Sequence, residues 1–154
     1  MINVLFVCHG NICRSTMAEF LFKYYVEQKG TSHLFHIESA GTSSEELGNP
    51  VYPGTRKILD RFNIDYSKKR ARRITLSDYD KFDYIIGMDK YNKINMIRFF
   101  NYDPQKKVKL LLDYTSNPGD ISDPWYNDNF EQTYIDVMFG IEGFYSYLEE
   151  LKEI

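Results

Sequence analysis

Cysteine is scarce in this sequence: the 154-residue chain has only two, Cys8 and Cys13. Two cysteines this close together make a poor disulfide framework for a small secreted domain. They are also too few for a structural zinc site unless histidines help, and the three histidines show no ligand spacing. The sequence therefore predicts neither a metal nor a cofactor.

Long apolar runs are also lacking, and none approaches the roughly 20 residues that a membrane-spanning helix needs. The first residues, MINVLFVC, carry neither a basic leader nor a small-residue cleavage site, which favours a buried strand over a signal peptide. We therefore expect a cytoplasmic protein with no membrane partner. The length suits one domain with a hydrophobic core, which we predict to span residues 1–154.

The net charge is small, −3, but it is unevenly distributed. From Asp113 onwards there are ten acidic residues and one basic residue, Lys152, so this segment carries −9 and the first 112 residues carry +6. Part of the basic excess is the run KKRARR, Lys68 to Arg73. Such a run can contact nucleic acid, but one short run in an acidic protein is more typical of a solvated surface. We predict no nucleic-acid partner.

Hydrophobic patterns predict alternating strands and helices along the chain. Short apolar runs predict strands at Asn3–Val7, Leu34–Ala40, Lys81–Met88 and Val108–Leu112. Helical spacing predicts helices at Ser15–Gly30, Gly54–Phe62, Asp89–Phe100 (with Asp89 as N-cap) and Phe130–Leu151. Glu45–Pro53 and Tyr114–Asp128 are predicted to be irregular. This alternation indicates an α/β domain with a four-stranded parallel sheet flanked by helices on both faces. Its ligands should bind beyond the carboxyl ends of the strands.

The segment VCHGNICRST, Val7 to Thr16, joins the first predicted strand to the first predicted helix. A loop that leads into a helix N-terminus collects backbone N–H groups without partners, and the helix dipole adds positive potential there. Gly10 lets the backbone approach a ligand closely, and Asn11 tolerates a left-handed conformation. The segment therefore predicts a phosphate-binding loop.

Cys8 and Arg14 stand at the two ends of this loop. The field of a helix N-terminus favours the thiolate of Cys8, which is then a nucleophile for a bound phosphoryl group. Arg14 can offer two parallel N–H donors to phosphoryl oxygens. The alternative is that Cys8 packs as a small hydrophobic residue while Arg14 lies on the surface.

CHGNICRS, followed by Met17, Ala18 and Glu19, resembles the active-site signature of the low-molecular-weight protein-tyrosine phosphatases. The resemblance continues through SAGTS (residues 39–43), RARRIT and FDYIIGMD (within residues 70–89) and DPWY (residues 123–126). It covers nearly the whole chain in order. It implies a flavodoxin-like or Rossmann-like phosphatase fold and a phosphotyrosine-containing protein substrate, and we expect the enzyme to act as a monomer.

The resemblance also implies roles for individual residues. Cys8 would form a cysteinyl-phosphate intermediate, and Asp123 would protonate the leaving oxygen and then activate water. Asp123 precedes a proline, so the sequence alone fits a plain turn residue equally well. The remaining site residues would bind phosphate, shape the loop or line the pocket: His9, Gly10, Asn11, Ile12, Cys13, Arg14, Ser15 and Tyr126. Cys13 is further implied as a redox partner that protects Cys8 through a reversible disulfide.

Three positions depart from the pattern of that family. Thr16 stands where proline is usual, so we expect a slightly looser helix start. Lys69 falls where many members have histidine behind the nucleophile loop. Ser44–Leu47 lacks the aromatic residue that often forms the pocket rim.

Rival functions remain open on the same scaffold. Protein-arginine phosphatases typically carry threonine where this chain has Ile12, which favours phosphotyrosine. Thioredoxin-coupled arsenate reductases need cysteines downstream of Cys13, and this chain has none. A non-catalytic phosphate-binding module has no need of a reactive thiol matched with an acid.

Overall fold

The computed structural model describes residues 1–154 and contains a four-stranded, fully parallel sheet with the order β2-β1-β3-β4. The strands are β1 (Ile2–Cys8), β2 (Phe35–Gly41), β3 (Tyr84–Gly87) and β4 (Val108–Leu110). Six helices connect and cover them: α1 (Arg14–Gln28), α2 (Pro53–Asp60), α3 (Asp78–Lys81), α4 (Lys90–Phe100), α5 (Pro124–Asn127) and α6 (Phe130–Glu150). The predicted α/β class and parallel sheet are confirmed.

Strand β1 lies in the middle of the sheet, which explains its unbroken apolar sequence. Val4 and Phe6 face a large core that includes residues of α1 and α6, among them Phe22 and Phe144. Leu5 and Val7 face a second core with Phe82 and Met96, beside α3 and α4. Because successive side chains of a strand point to opposite faces, a strand covered on both sides must be apolar throughout.

Several predicted boundaries shift by a few residues. The third strand is shorter than predicted and begins at Tyr84, because the preceding turn α3 occupies the start of the predicted segment. The second strand begins at Phe35, since Leu34 belongs to a 3-10 turn (Ser32–Leu34). Strand β4 ends at Leu110, where a second 3-10 turn begins (Leu111–Tyr114). The acidic Tyr114–Asp128 segment is not wholly irregular, because it contains the short helix α5.

Two further features position the loop after β1. Gly41 ends β2 directly beside it: a Cβ at Gly41 would lie 2.8 Å from the carbonyl oxygen of His9, so only glycine fits. Across the sheet, the backbone N–H of Ile121 donates to the carbonyl of Met88 at 2.9 Å, which ties the Tyr114–Asp128 segment to the end of β3. Both features bring loops together at the carboxyl edge of the sheet, as the topology predicts. None of the helices has the length and apolarity to cross a membrane.

Candidate active site

The loop between β1 and α1 is an anion-binding frame built from its own backbone. None of the backbone N–H groups from His9 to Cys13 donates to another backbone group. Helix α1 begins after Cys13 without a side-chain cap and has no acidic residue in its first turn. The unpartnered donors and the positive end of the helix dipole therefore coincide, as at phosphate sites in general.

Asn11 determines the shape of this loop. Its φ of 60° places it in the left-handed region, and its side chain is buried. Its Nδ2 donates to the hydroxyl oxygens of Ser15 (2.8 Å) and Ser39 (2.9 Å), and its Oδ1 accepts the backbone N–H of Arg72 (3.0 Å). These bonds offset the cost of a left-handed conformation in a residue other than glycine.

Cys8 lies at the carboxyl end of β1, at the base of the loop, and is 3% exposed. Its Sγ is 3.0 Å from the hydroxyl oxygen of Ser15, in the first turn of α1. A hydroxyl hydrogen pointed at sulfur stabilises the thiolate over the thiol, because a hydrogen bond to an ionised acceptor is stronger. The alternative in which Arg14 lies on the surface is wrong, because that side chain is 3% exposed.

Three acceptors hold the guanidinium of Arg14. Its Nη1 donates to Asp89 Oδ2 (2.6 Å) and to the carbonyl of Ile121 (2.8 Å), and its Nη2 donates to Asp123 Oδ2 (3.3 Å). Burial acts to lower the pKa of Arg14, but Cys8, Asp89 and Asp123 together raise it above its ordinary value. Arg14 is therefore a fixed, charged clamp. Asp89 caps α4 as predicted, but its contact with Arg14 was missed.

Asp123 approaches the loop from the opposite side of the cleft. It is the N-cap of α5, where its Oδ1 accepts the backbone N–H of Trp125 at 3.0 Å. Its Oδ2 faces the guanidinium of Arg14. The plain-turn interpretation therefore describes only part of its environment, since one carboxyl oxygen caps the turn and the other points to the Arg14 side of the cleft.

A cleft of about 100 Å³ lies between the loop and the Asp123 segment. Most of the predicted site residues line it: Cys8, His9, Gly10, Ile12, Cys13, Arg14, Asp123 and Tyr126. Asn11 and Ser15 lie behind the loop instead and act on its shape and on Cys8. No group of three His, Cys, Asp or Glu side chains is arranged to hold a metal ion.

The rim of the cleft differs from the prediction in its aromatic content. The Ser44–Leu47 segment supplies Glu45 and Glu46, and Glu45 pairs with His9 at 3.1 Å. Sequence reasoning missed Trp125, which lines the cleft, is 52% exposed and packs edge-on against Tyr52. The DPWY motif itself was the signal, since both of its aromatic residues reach the cleft.

Cys13 and Thr16 lie where the loop joins α1. Burial, reinforced by the neighbouring Cys8, raises the pKa of the Cys13 thiol far above its ordinary value, so it rests as a protonated thiol. Both cysteines are free. The hydroxyl of Thr16 donates to the carbonyl of Cys13 at 3.0 Å. This bond ties the first turn of α1, where we had expected a looser start.

The basic run Lys68–Arg73 is only partly a solvated segment. Lys68, Arg70 and Arg73 are exposed. Arg72 pairs with Glu38 (3.2 Å) and Asp78 (3.0 Å), and Lys69 is drawn inward beneath the nucleophile loop. Two of the five cations of this run, Lys69 and Arg72, are therefore paired with acidic residues of the fold.

Comparisons with known proteins agree with this geometry. The family model described as low molecular weight phosphotyrosine protein phosphatase matches residues 3–153. The chain is 38% identical to the low molecular weight protein-tyrosine-phosphatase YfkJ of Bacillus subtilis over 100% of both sequences. The crystal structure of YfkJ superposes with a TM-score of 0.94, over 99% of this chain and 97% of that one.

Two further solved structures bear on specificity. The low molecular weight protein tyrosine phosphatase SP-PTP of Streptococcus pyogenes is 41% identical, with a TM-score of 0.87 over 99% of this chain and 98% of that one. DARP, a drosophila arginine phosphatase, is 28% identical, with a TM-score of 0.84 over 94% and 96% of the two chains. The same fold therefore occurs in a protein named as a tyrosine phosphatase and in one named as an arginine phosphatase.

Proposed function

We propose a specific reaction from the premise that this chain belongs to the low-molecular-weight phosphotyrosine protein phosphatase family and is a phosphatase. The proposed substrate is phosphotyrosine in a protein. The observation that supports it best is the convergence of Cys8, Arg14 and Asp123 on one cleft floored by unpartnered backbone N–H groups. We further propose that it acts as a monomer, since every group of the site comes from one chain. The proposed location is the cytoplasm.

In the first step, the thiolate of Cys8 attacks phosphorus and the bond between phosphorus and the tyrosine oxygen breaks. The N–H groups of His9 to Ser15 and the guanidinium of Arg14 hold the equatorial oxygens, where negative charge is spread in the transition state. Asp89 and the Ile121 carbonyl fix Nη1 of Arg14, so the clamp does not have to be ordered when the substrate arrives.

Asp123 supplies and recovers the proton in this scheme. Its protonated carboxyl gives a proton to the departing tyrosine oxygen, which leaves as a neutral phenol. The resulting carboxylate then takes a proton from water as the water oxygen attacks phosphorus. The sulfur–phosphorus bond breaks, which restores the Cys8 thiolate and releases inorganic phosphate.

We expect the enzyme to cleave a phosphotyrosine peptide at least tenfold faster, by kcat/KM, than a phosphoarginine peptide of the same sequence. The buried, branched side chain of Ile12 lines the cleft and suits a phenyl ring better than a charged guanidinium. The measurement is phosphate release from both peptides and from p-nitrophenyl phosphate, with EDTA present.

Ile12 offers a matched pair of variants for this test. Ile12→Thr, which adds a hydroxyl, should narrow the preference for phosphotyrosine, whereas Ile12→Val, which stays apolar, should keep it. If the wild type cleaved phosphoarginine faster than phosphotyrosine, the protein would instead be a protein-arginine phosphatase. Phosphate binding without cleavage of any substrate would leave only a binding module.

We also propose that Cys13 protects the nucleophile. Peroxide oxidises the Cys8 thiolate to a sulfenic acid. The Cys13 sulfur then attacks that sulfur, so a disulfide forms and water leaves with the Cys13 proton. Because the pKa of Cys13 is raised by burial, this second step should become faster as pH rises.

Cys13→Ser should recover much less activity than the wild type after peroxide treatment followed by thiol. Without a resolving thiol, the sulfenic acid of Cys8 proceeds to irreversible oxidation states. Recovered activity and the mass of the tryptic peptide containing Cys8 would be measured together. Equal recovery by both proteins would reject the protective role.

The basic run supports the prediction that nucleic acid is not a partner. Arg72 and Lys69 are engaged with acidic residues of the fold, so the free cations are fewer than the sequence suggests. Filter binding to DNA and RNA at low salt is the direct check, because binding through phosphate contacts is strongest there.

A further inference from the structure

A continuous chain of hydrogen bonds runs from the nucleophile to a buried carboxylate. Cys8 Sγ contacts the Ser15 hydroxyl (3.0 Å), which accepts from Asn11 Nδ2 (2.8 Å). The same Nδ2 donates to the Ser39 hydroxyl (2.9 Å), and Ser39 donates to Glu19 Oε1 (2.5 Å). Of the side chains joined in this way, the proposed catalytic scheme uses only that of Cys8. The chain therefore ends on a group, Glu19, that has no assigned role.

The direction of this chain follows from its fixed members. The backbone N–H of Arg72 can only donate, so Asn11 Oδ1 must be the group that faces it. Both hydrogens of Nδ2 are then directed at the hydroxyls of Ser15 and Ser39. Each of these hydroxyls accepts from Asn11 and must send its own hydrogen elsewhere.

Those two hydrogens have one destination each. The Ser15 hydrogen points to Cys8 Sγ, and the Ser39 hydrogen points to Glu19. An ionised carboxylate accepts only, so it holds Ser39 in this orientation. A neutral Glu19 can turn its own O–H towards the Ser39 oxygen and compete with Asn11 for it. Asn11 then loses an anchor of the orientation that directs Ser15.

Glu19 is 4% exposed, and a carboxylate so deeply buried needs a cation to remain ionised. Two lysines approach it. Lys23 Nζ lies 2.6 Å from Oε2, but its side chain is 44% exposed, so solvent screens the pair. Lys69 Nζ lies 3.4 Å from Oε1, is 13% exposed and also donates to the carbonyl of Ser39 at 2.8 Å. Lys69 is therefore the less solvated of the two lysines, and it approaches Oε1, the oxygen of Glu19 that accepts from Ser39.

We propose that Lys69 is a positioning residue for the nucleophile: its ammonium keeps Glu19 ionised, and the hydrogen-bond chain then directs the Ser15 hydroxyl at the Cys8 thiolate. This rests on the proposed function, since it concerns the same thiolate. The charged groups that face Lys69 are Glu19 and Lys23 of α1 and Arg72 of its own segment. Burial is the main cause of a lowered pKa for Lys69, and Glu19 opposes that shift.

The test is Lys69→Met, which removes the ammonium and keeps an unbranched apolar stem. We expect the acid limb of the kcat/KM profile to move to higher pH by about 0.5–1 unit and kcat/KM on the acid side to fall about three- to tenfold. Alkylation of Cys8 by iodoacetamide, followed against pH, should show the same displacement. This readout needs no substrate.

Three further variants sharpen the comparison. Lys68→Met loses the same charge one residue away, from an exposed side chain, and should leave the profile in place. Lys69→Arg should restore the wild-type profile, because it returns the cation. Glu19→Gln removes the ionised acceptor itself and should displace the profile in the same direction as Lys69→Met.

The outcomes separate this inference from the proposed function. If Lys69→Met melts at the wild-type temperature and its alkylation profile is unmoved, the positioning role is wrong, whatever the substrate proves to be. A loss of activity that is equal at all pH values, with the acid limb of the kcat/KM profile unmoved, would also contradict the positioning role. It would indicate that the substitution loosens the structure in general. If Lys69→Met unfolds, the test passes to Lys69→Arg and Glu19→Gln. An unchanged pH profile of Cys8 alkylation in Glu19→Gln would then show that the hydrogen-bond chain does not act on the thiolate. A wild type inactive on phosphotyrosine would end the proposed function, and the alkylation readout would still stand.

Discussion

Cys8→Ser is expected to lower turnover of every phosphomonoester by about 10⁴-fold or more. A serine hydroxyl is not ionised near neutral pH, and the bonds that support Cys8 include no general base able to take its proton. The side chain keeps its size, so the loop and its N–H donors should remain in place. The expected result is therefore a protein that binds phosphate but does not form the covalent intermediate.

The measurement combines steady-state hydrolysis of p-nitrophenyl phosphate with calorimetric titration of inorganic phosphate. Cys13→Ser is the matched comparison, because it makes the same change five positions along the loop at a sulfur that does not attack phosphorus, so its loss of turnover should be far smaller. Residual activity within tenfold of the wild type would place the nucleophile elsewhere. Loss of both turnover and phosphate binding would show that the substitution had collapsed the loop.

Asp123→Ala should lower kcat by about 10²–10⁴-fold on phosphotyrosine, the usual range for a general acid. The loss should be smaller on p-nitrophenyl phosphate, whose leaving group departs readily without a proton. This difference between leaving groups is specific to proton donation. It would be measured by comparing kcat of the wild type and of Asp123→Ala over a series of aryl phosphates whose phenol leaving groups differ in acidity.

Asp123→Asn separates the two carboxyl contacts of this residue. Its side-chain oxygen can still accept the backbone N–H of Trp125 and cap α5, but the amide cannot supply a proton. We expect it to be as slow as Asp123→Ala while melting nearer to the wild type. An Asp123→Asn enzyme with nearly normal kcat would mean that Asp123 shapes the segment and another group donates the proton.

Local signals in the sequence accounted for most of the fold. The apolar run of β1, the helical spacing after Ser15 and the N-cap at Asp89 each depend on neighbours within a few positions, and the structure contains all three elements. The turn α3 was missed because its four residues, DYDK, are too few to show a helical period. Strand β4 ended earlier than predicted because Leu111 and Leu112 stay buried while the backbone turns, and apolar sequence alone does not reveal that.

In the candidate site, too, the features that depend on neighbouring residues were predictable, and those that depend on distant residues were not. The loop residues could be named from one stretch of sequence because the backbone donors, the thiol and the guanidinium all belong to it. Their partners could not, since Asp89 and Ile121 reach Arg14 across 75 and 107 positions of chain. Lys69 was recognised as a departure, but its contact with Glu19 depends on how the segment after α2 folds beneath α1.

Asn11 has a consequence for anyone who would graft this loop into another protein. Its left-handed backbone is secured by Ser39 on β2 and by the backbone of Arg72, both far away in sequence. Copying residues 8–15 alone into a new strand–helix junction would transfer the donors without the supports that shape them. A designer would have to transplant three segments together, so the minimal portable unit is a small tertiary assembly and not a linear motif.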